Sequence, residues 1–296
     1  MANLKVKLTA KATLLCVLLF IINSIRCLAQ TDTWVQKSDF GYTSANITGP
    51  TPRYGASGFS IGNKGYIGTG YSGVCKKDLW EYDPLADTWT QKADFGGTAR
   101  YYAVGFSLGG KGYLGTGNDD SYPYQTKDFW EYDPSANIWT QKTDFGGTAR
   151  RSAVGFSIGT KGYVGMGLNM RDFWQYDPAS DIWTEKKDDF GGTARSHAVG
   201  FSIGSKGYLG TGVGYGTYYK DFWEYDPLAN TWTQKADFGG TARESAVGFS
   251  IGSKGYLGTG NDGGYKYKRD FWEYDPAANN WVKKADFGGI IRFGAV

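Results

Sequence analysis

Residues 103–117 read A-V-G-F-S-L-G-G-K-G-Y-L-G-T-G, and residues 128–150 read D-F-W-E-Y-D-P-S-A-N-I-W-T-Q-K-T-D-F-G-G-T-A-R. The same two stretches recur five times along the 296-residue chain. The first tryptophan of each unit marks the period, which is 44 to 50 residues: Trp80, Trp130, Trp174, Trp223 and Trp272. A period of this length, with several short strand patterns in each unit, is typical of a β-propeller in which each repeat is one blade. The sequence therefore predicts an all-β fold.

Each unit contains four segments of strand length. In the second unit we predict strands over residues 103–109, 111–117, 128–133 and 139–145. The first of these alternates Val104, Phe106 and Leu108 with small residues, which is the period-two pattern of a strand. A bulky face and a small face suit an innermost strand, because the bulky side chains fill the gap between blades while the small ones allow close approach.

Five complete units account for most of the chain, and two short pieces remain. The predicted blades span residues 53–95, 100–145, 150–190, 195–238 and 243–287. Residues 33–40 match a fourth strand, and residues 291–296 match the start of a first strand. We therefore expect partial strands of a sixth blade, with the C-terminal part truncated. The alternative is a closed five-bladed ring with a loose N-terminal strand.

A tyrosine and a tryptophan with six residues between them occur once in every unit: Tyr82/Trp89, Tyr132/Trp139, Tyr176/Trp183, Tyr225/Trp232 and Tyr274/Trp281. Together with the preceding glycines, this spacing resembles the kelch repeat. The glycine doublet of that family appears here as Gly-Thr-Gly, or as Gly-Met-Gly at residues 165–167. The resemblance covers residues 30–296 and implies four-stranded, kelch-type blades.

The first 29 residues have the pattern of a secretory signal peptide. Basic residues precede an apolar run over residues 12–22, and Cys27-Leu28-Ala29 offers small residues for cleavage. We therefore expect a secreted protein, whether extracellular, periplasmic or at the cell surface, with no membrane span after cleavage. Two of the three cysteines lie in this segment, which leaves Cys75 without an internal disulfide partner.

The charge balance argues against nucleic acid as a partner. The whole chain has a formal net charge of +3, with 32 basic and 29 acidic residues. Four of the basic residues belong to the predicted signal peptide or its end, namely Lys5, Lys7, Lys11 and Arg26. The remaining chain therefore carries one more acidic than basic residue and lacks the positive field that nucleic-acid binding requires. We expect a monomer.

Tyrosines outside the repeated positions concentrate in the loops between the second and third strands: Tyr71, Tyr122, Tyr124, Tyr215, Tyr218, Tyr219, Tyr265 and Tyr267. Tyr54, Tyr101 and Tyr102 follow the repeated arginine at the entry to an inner strand. Propeller geometry places both groups on one face. Tyrosine is enriched at recognition surfaces, so these residues are candidate binding residues. The alternative is that they pack on one another and only shield the tops of the blades.

The two residues after each repeated arginine vary while their neighbours do not, and by position they should surround the mouth of the central channel. They include Arg151, His197, which is the single histidine, and Glu244. We include these three among the candidate binding residues; the alternative is neutral variation at an exposed turn. The repeated arginines themselves are expected to pair with a repeated aspartate, such as Asp128 or Asp144, rather than to bind anions.

These patterns lead to three hypotheses about function. The first is a secreted, non-enzymatic recognition module that binds a protein or a glycan through its tyrosine-rich loop face. The resemblance implies a second, a kelch-type sugar-active enzyme such as a sialic-acid mutarotase, with His197, Glu244 and Arg151 as its acid–base groups and His197 as the proton carrier. The third is a structural spacer of an envelope or matrix. Galactose oxidase activity is rejected, because its copper site needs two histidine ligands. We expect no cofactor and no metal.

Overall fold

The computed structural model describes residues 32–40, 50–186, 189–264, 266–290 and 294. The chain divides into two compact units, Met1–Trp34 and Val35–Val296, and the second contains every strand found among the described residues. The described residues form strands and turns without any α-helix. Accordingly, none of them belongs to a helix that could cross a membrane. The predicted signal peptide, residues 1–29, lies outside the described residues.

Five four-stranded blades follow one another along the chain. The innermost strands are β1 (Ser57–Ile61), β5 (Val104–Leu108), β9 (Val154–Ile158), β13 (Val199–Ile203) and β19 (Val247–Ile251). The second strands are β2 (Lys64–Gly68), β6 (Lys111–Gly115), β10 (Lys161–Gly165), β14 (Lys206–Gly210) and β20 (Lys254–Gly258). The third strands are β3 (Leu79–Asp83), β7 (Phe129–Asp133), β11 (Phe173–Asp177), β17 (Phe222–Asp226) and β21 (Phe271–Asp275). The outermost strands are β4 (Thr88–Lys92), β8 (Ile138–Lys142), β12 (Ile182–Glu185), β18 (Thr231–Lys235) and β22 (Asn280–Lys284).

Within each blade, consecutive strands pair antiparallel in the order first, second, third, fourth. These are the five predicted blades, and in blade 2 two of the predicted strand ends differ by more than one residue from those observed. The second strand of blade 2 ends at Gly115, because Thr116 and Gly117 adopt positive φ and cannot continue it. The fourth strand ends at Lys142, because the amide of Thr143 donates to Asp181 of the next blade instead of to the ladder. A short hairpin, β15 (Val213–Gly214) with β16 (Thr217–Tyr218), is inserted in blade 4.

The core lies between the blades, where the bulky face of one inner strand meets the glycine face of the next blade. Phe106 of blade 2 packs over Gly162 of blade 3, and a Cβ atom added to Gly162 would lie 2.6 Å from the phenyl ring. Equivalent contacts join Phe59 to Gly112, Phe156 to Gly207 and Phe201 to Gly255. Since there is no room for a methyl group, the glycines set how closely the blades approach.

The repeated tyrosine and tryptophan hold the outer part of each interface. In blade 2 the Tyr132 hydroxyl donates to Asn137, and the Trp139 indole donates to the carbonyl of Ala93 in blade 1. The ring of Phe95 meets the ring of Trp139 edge-on, with centroids 5.1 Å apart. These residues, which define the kelch-like pattern, are therefore framework residues.

The predicted partial sixth blade is not confirmed. Residues 32–40 contain no strand, and of residues 291–296 only Gly294 is described. Residues 35–40 nevertheless make the contacts that a preceding blade would make. The Trp89 indole donates to the carbonyl of Ser38, and Phe40 meets Trp89 edge-on at 4.8 Å.

The alternative of a closed five-bladed ring also differs from what is observed. Inner strands of successive blades contact each other from β1 through β19, but among the described residues β19 and β1 do not meet. An interval thus separates blade 5 from blade 1.

The glycine contact leads to a stability prediction with an internal control. Gly162→Ala would force its new methyl group into the Phe106 ring, so we expect a loss of about 1–3 kcal/mol in the free energy of unfolding. Gly65 has the same position in blade 1, but within the described part of the chain a Cβ there would meet only the Cβ of Tyr82, at 3.8 Å. Gly65→Ala should change the free energy of unfolding by less than about 0.5 kcal/mol. Urea denaturation of both variants checks this, and equal effects would contradict it.

Candidate functional site

The loop face is organised by buried arginines. Arg150 is fully buried, and its guanidinium donates two parallel hydrogen bonds to Asp172, at 2.6 and 2.7 Å. It also donates to the carbonyls of Thr148 and Met166 and stacks on Phe145. The other members of the set form the same type of pair: Arg53 with Asp78, Arg100 with Asp128, Arg195 with Asp221 and Arg243 with Asp270.

These pairs agree with the expectation that the arginines are structural, with Asp128 rather than Asp144 as the partner of Arg100. Burial alone would raise the pKa of Asp172, but the hydrogen bonds from Arg150 and Trp174 keep that pKa below its ordinary value. Every described arginine of the set is already paired, so an anion-binding ring is not formed. Arg292 lies outside the described residues.

The second residue after each arginine forms a ring at the mouth of the central channel. Backbone hydrogen bonds run from Tyr102 to Gly55, from Ser152 to Tyr102 and from His197 to Ser152. They continue from Ser245 to His197, from Gly294 to Ser245 and from Gly55 back to Gly294. All six residues have φ between 53° and 63°, which is the left-handed region. Six ring positions are thus present above five blades.

In blades 1, 2, 4 and 5, the first residue after the arginine bridges to the loop between the second and third strands. Tyr54 bridges to Tyr71, Tyr101 to Asn118, Ser196 to Val213 and Glu244 to Asn261. The two groups of candidate residues, which were identified separately in the sequence, therefore belong to one surface.

Four tyrosines from blades 1 and 2 form a continuous group, which we call the tyrosine cluster: Tyr54, Tyr71, Tyr101 and Tyr102. Their ring centroids lie 5.1 to 6.2 Å apart in neighbouring pairs. Tyr102 also meets the imidazole of His197 edge-on at 4.7 Å. The cluster is half-buried and remains accessible, with Tyr54 exposed to 38%. It forms an aromatic surface beside the channel mouth.

A polar pocket of about 360 Å³ adjoins this cluster. Arg151, His197 and Glu244 all line it, so the structure brings the three charged or titratable candidates together. Other lining residues include Ser152, Ser196 and Asn169, and the Ser152 hydroxyl lies 3.2 Å from His197 Nε2. The pocket opens above the short loop of blade 3, where Leu168 and Asn169 form part of its wall.

Burial shifts the pKa values of titratable side chains in the pocket and in the tyrosine cluster. It lowers the pKa of His197 to about 4, with a further contribution from the charge of Arg151, so the imidazole is neutral at pH 7. It raises the pKa of Glu244 above its ordinary value and that of Tyr102 to about 12. Burial and the carboxylate of Asp120 raise the pKa of Tyr101, against the opposing effect of nearby Arg151.

The remaining candidate tyrosines lie elsewhere on the loop face or belong to the framework. Tyr122 and Tyr124 contact each other, at 5.9 Å, and Tyr122 is 88% exposed. Tyr215 lines the pocket and is 80% exposed. Tyr219 stacks on the buried Arg195, at 4.2 Å, and so has a structural contact that its sequence position did not indicate. Tyr218 lies against the loop of blade 5 at Gly263, and Tyr267 bridges to Asn261. Tyr265 lies outside the described residues.

Several residues that shape the site were not singled out as candidates from the sequence. Ser152 and Ser196 belong to the variable pairs after the arginines, and Asn169 belongs to the short loop of blade 3. None of the three was selected as a binding residue, because a polar residue in a loop has no distinguishing signal of its own. The backbone of Asn169 donates to the Ser196 hydroxyl, at 3.1 Å, and this contact fixes the short loop of blade 3 against blade 4.

Potential metal ligands and the Cys75 thiol are further groups with possible chemistry on the loop face. Among the described residues, no three His, Cys, Asp or Glu side chains are grouped so as to hold a metal ion. Burial raises the pKa of Cys75 to about 12, as does its hydrogen bond to Asp120, at 3.1 Å. The neighbouring lysines therefore do not activate this thiol.

Comparison with known proteins supports the propeller fold. No family model matches the chain, and no curated protein sequence matches it. A solved structure described as "Structure of YjhT" is similar, with a TM-score of 0.69 and 18% sequence identity. The alignment covers 81% of this chain and 85% of that one. The chain is a propeller of kelch-like repeats.

The low pKa of His197 gives a prediction for stability. Between pH 6.5 and 4 the unfolded chain binds a proton at His197 that the folded chain does not, so protonation favours unfolding. Relative to wild type, His197→Asn should gain stability as the pH falls through this range, by up to about 3 kcal/mol. Asparagine tolerates the left-handed conformation at this position. Chemical denaturation at pH 7, 6, 5 and 4 measures the difference, and a constant difference would contradict the burial of a neutral imidazole.

Proposed function

We propose that this protein is a secreted, monomeric recognition module that binds a glycan or a protein on its loop face, without catalysis. The tyrosine cluster is the observation that carries this proposal. Four phenol rings in mutual contact offer a rigid surface with both apolar faces and hydroxyl groups, and tyrosine provides such contact area at low entropic cost.

The polar pocket beside the cluster supports the proposal. Arg151 supplies fixed hydrogen-bond donors, and Glu244, Asn169 and Ser196 supply further polar groups within one cavity. Specific sites combine an apolar surface with a few polar groups that orient the ligand. A ligand lying on the cluster can therefore extend polar groups into the pocket above blade 3.

The shape of the rim also supports binding on this side. The loop of blade 3 between β10 and β11 is short, whereas the loop of blade 4 carries the β15–β16 hairpin. The rim is therefore lower at blade 3 than at blade 4, and the pocket lies at this step.

Binding to immobilised glycans and to protein arrays tests the proposal. The fluorescently labelled chain is first screened, and the best ligand is then titrated. Tyr101→Ala should weaken that binding by roughly tenfold or more, because truncation of a central aromatic residue of an interface has a large effect. Tyr122→Ala is the control, since this exposed tyrosine lies outside the cluster. Both variants should keep the melting temperature of the wild type. Equal affinities for Tyr101→Ala and wild type would refute the role of the cluster.

An enzyme acting on a sugar is the second candidate, because Arg151, His197 and Glu244 share one pocket. Glu244 is the better proton carrier of the three, since burial moves its pKa upward toward neutrality while that of His197 moves to about 4. If the protein catalyses anomer interconversion of a sugar, Glu244→Gln should lower the rate constant about 100-fold or more, as measured by NMR exchange. Wild type without any rate enhancement would exclude this candidate. If wild type shows neither binding nor turnover, the spacer hypothesis is favoured.

A further inference from the structure

The contact of phenylalanine with glycine joins each blade to the next one along the chain. It occurs at all four junctions, and in every case a Cβ on the glycine would come within 2.6 Å of the ring. Because the glycine of the K-G-Y motif has no side chain, it leaves a depression on the face of the blade, which we call the socket. The phenylalanine of the preceding inner strand fills this socket.

Blade 1 presents a fifth socket that is open. Among the described residues, a Cβ atom on Gly65 would meet only the Cβ of Tyr82, at 3.8 Å, and none of the described phenylalanine rings lies over it. Tyr82 is half-buried, whereas the equivalent tyrosines of the other blades are fully buried against the preceding blade. A cavity of about 500 Å³ extends from the channel onto this face, where Tyr66, Tyr82 and Trp89 line it.

Blade 5 carries the phenylalanine that would fill a socket in a following blade. Phe249 has the position of Phe106 and Phe156, but it lines the same 500 Å³ cavity and is half-buried. Ile251 is 63% exposed, whereas the equivalent Leu108, Ile158 and Ile203 are 6 to 8% exposed. The interval between blades 5 and 1 therefore has a phenylalanine on one side and an open socket on the other.

Described residues border the interval between blades 5 and 1 on two sides, at the channel mouth and on the outside. Gly294 takes the sixth position of the ring at the channel mouth, hydrogen-bonded to Ser245 and Gly55. On the outside, Ser38 and Phe40 make the contacts with Trp89 that an outer strand would make. The space between these edges corresponds to the inner, second and third strands of one blade.

We propose that this interval is a binding site for three antiparallel β-strands of the chain's own repeat type. The four existing junctions specify the contacts. A phenylalanine of the incoming first strand enters the Gly65 socket, and the glycine of its K-G-Y motif receives Phe249. The incoming K-G-Y tyrosine then meets Tyr82, as Tyr113 meets Tyr176 at 5.8 Å. The phenylalanine of its third strand meets Trp89, as Phe129 meets Trp183 at 4.9 Å.

A peptide with the sequence of residues 154–177 is the probe. It contains the first three strands of blade 3 and the shortest loop, and it includes Phe156, Gly162, Tyr163 and Phe173. The labelled peptide is titrated with the full chain, and fluorescence anisotropy reports binding. We expect saturable 1:1 binding, with protection of β3 and β19 from hydrogen–deuterium exchange.

Three variants make the test specific. Gly65→Ala in the full chain fills the socket without disturbing the fold, so peptide affinity should fall at least tenfold. Ile251→Ser removes an exposed apolar contact and should also weaken binding, whereas Leu228→Ser, at a 95% exposed turn of blade 4, should not. A peptide with Gly162→Val should bind at least tenfold more weakly than the parent.

Several results would overturn the proposal. They are failure of the parent peptide to bind, equal affinity for wild type and Gly65→Ala, or equal affinity of the two peptides. A stable dimer of the full chain that protects β3 and β19 equally well without peptide would assign the interval to a second copy instead. Loss of glycan or protein binding at the tyrosine cluster has no bearing on these outcomes.

Discussion

The close contact between a phenylalanine ring and a glycine of the next blade is the constraint on which this structure depends. It sets the distance between blades, because neither residue can change size without a shift of backbone. The rest of each junction follows from that distance. Tyr113 and Tyr176 come into edge contact, and the tryptophan indoles reach the carbonyls of the preceding blade. A short strand of five residues thereby becomes part of a core that no single blade could form.

The buried arginines give the loop face the same geometry in each blade. Each guanidinium binds the carboxylate at the start of the third strand and backbone carbonyls on both sides, which holds the turn before the next inner strand. The two residues after the arginine are therefore placed in the same way in every blade, one toward the loops and one toward the channel. Because position is fixed by the framework, side chains such as Tyr101, Arg151 and Glu244 can differ between blades without affecting the fold.

The fold could be predicted almost completely from the sequence, since the same strand patterns and tryptophan spacing occur in five copies of one unit. Spacing of the tryptophans predicted the blades, and alternation in A-V-G-F-S-L-G predicted the inner strands. The strand ends were less accurate, because they depend on cross-blade contacts such as that of Thr143 with Asp181. For the candidate site, the sequence indicated the correct face but not the grouping. Tyr219 and Tyr71 both lie in loops between the second and third strands, yet one stacks on Arg195 and the other belongs to the accessible cluster.

The hydrogen-bonded ring at the channel mouth explains why blade 5 does not contact blade 1 in the described part of the chain. Each step around the ring is one left-handed residue hydrogen-bonded to the next, and the six φ values differ by only ten degrees. Equal steps at the ring and equal phenylalanine–glycine contacts in the junctions impose the same rotation from blade to blade. A ring that closes after six such steps cannot bring the fifth blade against the first. The separation of β19 from β1 is thus a consequence of the same contact that holds the other blades together.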